Sequence, residues 1–300
     1  MAQLTIDPGW PTAPQACARH LGAGRGPASI SLAPLERTLV RGSISVRVRF
    51  EEGLPDSQAR IVFGYQPDDG GYLCAGLGGY GAQYVLDEWI PTPGILRPVF
   101  VSGKREDAEE AAPVELGLRV DIHGRKLNLL VDGVPVMSCE LPRTVGNAAV
   151  GLFAWGPEAI TFSDFTITRE RPYAVAVMQF NAYEQIYGDV MYRPLTRAGL
   201  FVERLDERAA PEGILEDIRR VIRDADLVVA EISPPNENVF YEVGYAHASR
   251  APTLLLVHED RELPFDVRPE RCVRYGDSEA SRQLAGEKLV AGARAIGLIE

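Results

Sequence analysis

The chain is poor in the residues that would staple or metallate it. Four cysteines, Cys17, Cys74, Cys139 and Cys272, are scattered through 300 residues with no C-x-x-C pair. Neither a zinc site nor a disulfide framework is expected from them, only buried or idle thiols. Long apolar runs are also lacking. The longest, at 173–178 and 254–257, fall far short of the roughly 20 residues that cross a bilayer, so no membrane partner is expected. Positions 1–10 hold the acidic Asp7 and no basic stretch ahead of an apolar core. That is not a secretory pattern, and the expected location is cytoplasmic. Basic residues are outnumbered, 31 Lys and Arg against 42 Asp and Glu, for a net charge of -11. Binding to phosphate backbones is driven by Lys and Arg neutralisation, so nucleic acid is not an expected partner, while a small nucleotide remains open.

What is present is enough apolar material, 46% of residues, for a sizeable core and two ordinary domains. Up to about Thr168 the apolar pattern has period two, the mark of half-buried strands. Ile44, Val46, Val48 and Phe50 alternate on one face. Further strands are expected at 59–65, 72–77, 83–86, 99–101, 114–122, 126–131, 134–140, 150–154 and 160–168. Asp132-Gly133 between two such runs is a hairpin signal, since both positions tolerate positive φ. Many short strands separated by turns imply an antiparallel β-sandwich over residues 1–170. The order "LGLRVDIHGRKLNLLVDGVPV" then "AVGLFAWGPEAITFSDFTI" resembles the concanavalin-like, or laminin-G-like, jelly roll.

After a charged, proline-containing junction at 169–172, periods of two and 3.6 alternate, as βαβ units require. Strands are expected at 173–180, 200–205, 227–232, 253–257 and 272–275, with helices at 183–197, 214–223, 239–249 and 278–296. On the second helix Ile214, Leu215, Ile218, Val221 and Ile222 form one stripe. The expected fold of residues 171–300 is therefore α/β, a doubly wound parallel five-stranded sheet of flavodoxin-like order. Its ligands would sit outside the carboxyl ends of the strands.

Three loops converge on that edge. They offer Gln179 and Phe180, then Asp206, then Glu231, Ser233, Asn236 and Asn238 as ligand-binding candidates. Asn238 has the composition of an N-cap, which would put Glu242 in or just after the first helical turn. A helix amino terminus would keep that carboxylate ionised. An ionised carboxylate beside a ribose C1′ can stabilise an oxocarbenium-like transition state or attack it, and Asn236 and Asn238 would take sugar hydroxyls. The plainer alternative is that Glu242 only complements the helix dipole and Asn238 only caps. Tyr241 and Tyr245 fit packing as well as base stacking, and His247 is expected to be packed rather than reactive. Gly76, Gly78 and Gly81 satisfy G-x-G-x-x-G, but a strand rather than a helix follows, so the fingerprint is spurious. Trp89, Trp155 and Tyr80 are expected to pack rather than to line a sugar surface.

The run "ADLVVAEISPPNENVFYEVGYAHASRAPTLLLV" is preceded by "VMQF", "GLFVERLDE" and "ILEDIRRVIRDA" and followed by "LPFDVRPERCVRY". Together they resemble the nucleoside deoxyribosyltransferase-like group, related in fold to TIR domains, over nearly all of 173–276. The resemblance implies that Glu242 is the catalytic glutamate. It implies an N-glycosidase acting on NAD(P) or on a nucleoside or nucleotide, with no cofactor beyond that substrate, and a role in antiphage defence. Two departures, Glu231 where Asp is common and Asn236 where true transferases carry a carboxylate, favour hydrolysis over base exchange. The other reading is a nucleotide-sensing module in which the sandwich serves recognition or homo-oligomerisation.

Overall fold

Ile44, Val46, Val48 and Phe50 turn to one face of a strand and are buried in a computed structural model of the protein. It describes residues 5–6, 18–20, 29–32, 38–51, 57–65, 68, 70–104, 113–157, 159–179, 184–205, 214–233, 235–262 and 272–300. Cys17, Phe180 and Asp206 lie outside the described residues. The chain divides into two units, Met1–Ile122 with Lys126–Glu170, and His123–Arg125 with Arg171–Glu300.

The first unit begins with the strands β1 (Thr5–Ile6), β2 (Ala18–His20), β3 (Ser29–Leu32), β4 (Thr38–Leu39) and β5 (Gly42–Phe50). Next come β6 (Gln58–Tyr65), β7 (Tyr72–Gly79), β8 (Ala82–Ile90), β9 (Ile95–Lys104) and β10 (Val114–His123). The last are β11 (Lys126–Val131), β12 (Val134–Glu140), β13 (Ala148–Trp155) and β14 (Ile160–Arg169). They form two antiparallel sheets, β1-β2-β14-β5-β10-β11-β12 and β3-β13-β6-β7-β8-β9, with β4 also paired to β13. The core between them joins Val46, Val48 and Phe50 to Ile61, Phe63, Leu73, Leu86 and Leu152. Each such side chain contributes roughly 1.5–3 kcal/mol by leaving water. Asp132 and Gly133 adopt φ of 49° and 80° and turn β11 into β12, as their sequence predicts.

The glycine run is a hairpin: β7 extends through Gly79, Tyr80 and Gly81 turn, and β8 starts at Ala82. Trp89 stacks on Tyr72 with ring centres 6.2 Å apart, and Trp155 packs against the same cluster. Tyr80 departs from the packing expectation, because it sits at the hairpin tip and is 55% exposed. The sheet face away from the main core also holds a buried ion pair, Arg60 with Asp87. The Arg60 guanidinium lies 4.9 Å from the Phe153 ring centre and donates to the Gly78 carbonyl at 2.6 Å.

The second unit runs β15 (Tyr173–Val177), α1 (Glu184–Ile186), a π-helical stretch (Tyr187–Tyr192), α2 (Arg193–Arg197) and β16 (Phe201–Arg204). It continues through α3 (Ile214–Asp224), β17 (Leu227–Glu231), α4 (Glu237–Ala248), β18 (Thr253–His258), β19 (Cys272–Tyr275) and α5 (Glu279–Ala295). The strands are parallel in the order β16-β15-β17-β18-β19, the flavodoxin-like order. β15 and β17 are buried at every residue, as strands covered by helices on both faces must be. From β15 the chain goes outward to β16 and then returns to β17 on the other side. The crevice at the carboxyl ends of β15 and β17 is thus the topological switch point.

Three local expectations change. The helix expected at 183–197 is regular only at its ends. Pro194 lacks an N–H and its ring crowds the carbonyl four residues back, so the ladder widens and the Arg193 N–H bonds to the Gly188 carbonyl. On α3 the stripe holds at Val221 and Ile222, but Leu215, in the first turn, is exposed. Helix α4 begins two residues earlier than expected, for a reason given by its cap.

Candidate active site at the strand edge

The apolar run of β17 ends on a charge. Glu231 is as fully buried as Leu227 and Val228 before it, and burial of a carboxylate demands partners. Its Oε1 accepts from the Ser233 backbone N–H at 2.9 Å and from the Tyr275 hydroxyl at 3.0 Å. Its Oε2 has no hydrogen-bond partner among the described residues. Ser233 Oγ accepts from the His258 backbone N–H at 2.6 Å and lies 3.2 Å from the Tyr275 hydroxyl. The ends of β17, β18 and β19 are therefore tied together around one carboxylate. The His258 ring stands edge-on to Tyr275, 5.3 Å between centres. Its Nδ1 accepts from the Asp260 N–H and its Nε2 faces Asp277 Oδ1 at 3.3 Å, an arrangement that suits a proton on Nε2.

The cap of α4 is Asn236, not Asn238. Asn236 has extended backbone angles, φ -133° and ψ 122°. Its side-chain oxygen accepts from the Asn238 N–H at 3.0 Å and the Val239 N–H at 3.2 Å, the pattern of a cap that satisfies the second and third helical donors. Two consequences follow. Asn236 Oδ1 is committed, leaving its amide N–H groups for a ligand. Glu242 becomes the sixth residue of the helix, a full turn and a half in, where the macrodipole has weakened.

Glu242 is half-buried, on the flank of the face that buries Val239, Val243 and Ala246. His247, five residues on, is turned about 140° round the helix at 3.6 residues per turn. The two are not brought together. His247 is half-buried, with Nε2 in the interior and without a hydrogen-bond partner among the described residues. Tyr241 and Tyr245 are tethered to α3: Arg219 donates to the Tyr241 hydroxyl at 2.8 Å and its guanidinium lies 5.9 Å from the Tyr245 ring centre.

Gln179 is half-buried two residues beyond β15. Val177 pairs with Ala230, so Gln179 lies two residues past that pair, on the loop side of β15. Two residues that the sequence reading did not single out also stand at this edge. Tyr275 is the last residue of β19, and a polar aromatic at a strand's carboxyl end was the available signal. Arg204, the last residue of β16, is buried. It donates to Glu184 Oε1 at 2.7 Å and lies 5.2 Å from the Tyr187 ring centre. Among the described residues no cluster of His, Cys, Asp and Glu could hold a metal ion, and no helix is long and apolar enough to cross a membrane.

No family model matches the chain. A stretch of 46 residues is 51% identical to a protein of Syntrophotalea carbinolica whose name assigns it 2′-deoxynucleoside 5′-phosphate N-hydrolysis. It covers 15% of this chain and 32% of that protein, so the chain spans about a third of that relative's length. Among solved structures, a carbohydrate-binding module from Bacillus subtilis aligns over 51% of this chain and 85% of its own, at 13% identity and a TM-score of 0.39. A galectin from Caenorhabditis elegans aligns over 50% of this chain and 95% of its own, at 11% identity and a TM-score of 0.31. The CMP N-glycosidase BcmB of Clostridium botulinum aligns over 39% of this chain and 98% of its own, at 15% identity and a TM-score of 0.33.

Proposed function

We propose that this protein hydrolyses the N-glycosidic bond of a nucleotide at the carboxyl edge of its parallel sheet, with Glu242 acting at C1′. The observation that carries the reading is the 46-residue match, 51% identical, to a protein named as a nucleotide N-hydrolase. The strand edge offers fitting chemistry. The Glu242 carboxylate attacks C1′, the bond from C1′ to the base nitrogen breaks, and the base leaves with the electron pair and takes a proton from solvent. Water then attacks C1′ of the glycosyl ester, releasing a sugar phosphate and restoring the carboxylate. The phosphate of such a substrate needs a cation, and Arg204, which also pairs with Glu184, is one at the end of β16. In this reading Gln179, Phe180, Asp206, Asn236 and Asn238 contact the sugar and base. NAD, which the transferase and TIR resemblance implies, is a finer form of the same chemistry, as is a role in antiphage defence.

The test is a substrate panel of nucleoside 5′-monophosphates, their 2′-deoxy forms, nucleosides and NAD incubated with the full chain, with free base followed by chromatography. Base release from a monophosphate is expected. Silence across the panel overturns the enzyme, and binding without release moves the reading to nucleotide sensing.

A further inference from the structure

We propose that Glu231 reads the secondary hydroxyls of the substrate sugar through Oε2, with Tyr275 as its positioning residue. The inference rests on the nucleotide reading above and deepens it. Its starting point is an imbalance within one carboxylate. Oε1 takes two donors, the Ser233 N–H and the Tyr275 hydroxyl, while Oε2 of the same fully buried group takes none among the described residues. Buried acceptors in native proteins are nearly always paired, and an exception calls for an explanation such as a bound water, an ion or a ligand. This one ends β17, beside the switch point where open α/β sheets place their ligands.

The chemistry of Oε2 narrows what can meet it. An ionised carboxylate only accepts, so its partner is an O–H or N–H donor, and the phosphate of a nucleotide is repelled. So buried an acceptor admits one small donor group between the strand ends, and a ring hydroxyl is such a group. Stereochemistry agrees. In a β-nucleotide the 2′ and 3′ hydroxyls lie on the sugar face opposite the base, the face from which a carboxylate displaces that base. A second carboxylate on the side from which Glu242 attacks would therefore meet hydroxyls. Tyr275 and the Ser233 N–H fill Oε1, which leaves Oε2 as the oxygen presented.

Equilibrium binding to the full chain tests this, with Glu242→Gln as parent to suppress turnover. The ligands are one nucleoside 5′-monophosphate, its 2′-deoxy form and its 2′,3′-dideoxy form. The dideoxy ligand is expected to bind at least about tenfold more weakly than the ribose form, the size of one charge-assisted hydrogen bond. Adding Tyr275→Phe should narrow that gap by weakening the ribose ligand alone, and adding Glu231→Gln should narrow it further. A merely structural role would weaken all three ligands equally. Equal binding of the three by the parent, or a gap that survives Glu231→Gln, overturns the assignment and leaves the nucleotide reading standing. Failure of every nucleotide to bind overturns both. Should one variant lose its melting transition, the other together with the parent's ligand series decides.

Discussion

The hydroxyl of Tyr275 stands 3.0 Å from Oε1 of Glu231, although one residue ends β19, the other ends β17, and β18 lies between them. The bond spans a strand because Ser233 and the His258 backbone fill the gap. Polar networks of this kind fix geometry when every member is satisfied. Here every partner of Glu231 among the described residues converges on one oxygen, so the network reads as a mount for the other.

The thiols should be slow. Burial pushes Cys74 and Cys139 from an ordinary 9.0 up to about 11, and burial raises Cys272 as well. At neutral pH such a rise cuts the thiolate fraction about a hundredfold, and the thiolate is the nucleophile. With Cys17 replaced by serine, a chromogenic disulfide reagent at pH 7.5 should react with the native chain far more slowly than with the unfolded chain. The sign for stability follows. A folded-state value above the unfolded one gives stability that is complete below about pH 9 and is lost as pH climbs toward 11. The melting temperature of the first unit should fall across that window, and less so for Cys74→Ala.

The cap assignment separates two asparagines only two positions apart. Asn236→Ala removes the acceptor of the Asn238 and Val239 donors and should cost about 1 kcal/mol. Asn238→Ala removes an exposed side chain from the helix and should stay within about 0.5 kcal/mol. Urea unfolding of both variants reads the difference. Equal costs would return the cap to Asn238.

Two helical glycines should respond with opposite sign. Alanine is ordinarily worth about 1 kcal/mol over glycine within a helix. At Gly244, in α4, an added methyl meets nothing within 4 Å, so Gly244→Ala should stabilise by that amount. At Gly286, in α5, the methyl would come 2.6 Å from Pro194 Cγ, a ring that cannot swing aside. Gly286→Ala should destabilise by about 1–3 kcal/mol. Parallel denaturant titrations check both, and a stabilised Gly286→Ala would mean that α2 and α5 are less closely packed.

Much of the architecture was legible because the two sheet types write different patterns. An antiparallel sheet with one wet face alternates, as at Ile44 to Phe50 in β5. A parallel sheet covered on both faces gives solid apolar runs, as in β15 and β17. What could not be read depends on partners remote in sequence. Arg60 alternates as a solvent-facing residue would, yet the face it joins is itself buried and supplies Asp87. Tyr275 meets Glu231 only once β18 has been laid between their strands. Asn236 and Asn238 have the same composition, and only the backbone angles at 236 choose between them. The π turn was legible in principle, since Pro194 stands inside the expected helix.

The position of Glu242 makes its substitution decisive. As the sixth residue of α4, it lies beyond the first turn, where the dipole acts most strongly. A role limited to complementing that dipole therefore predicts almost no effect of Glu242→Gln on stability and none on turnover. A carboxylate working at C1′ predicts the opposite for turnover, because glutamine keeps shape and hydrogen-bonding reach but loses the charge that attacks or stabilises the developing positive sugar. Interactions made only in the transition state lower kcat more than they weaken binding. Loss of one electrostatic stabiliser commonly costs about a hundred- to a thousandfold in rate, and loss of a nucleophile costs at least as much. Base release and melting temperature measured side by side give the answer. A melting temperature close to the parent's with base release reduced by at least about a hundredfold places Glu242 in the chemistry, whereas unchanged release removes it and leaves the strand-edge carboxylate Glu231 as the group to test next.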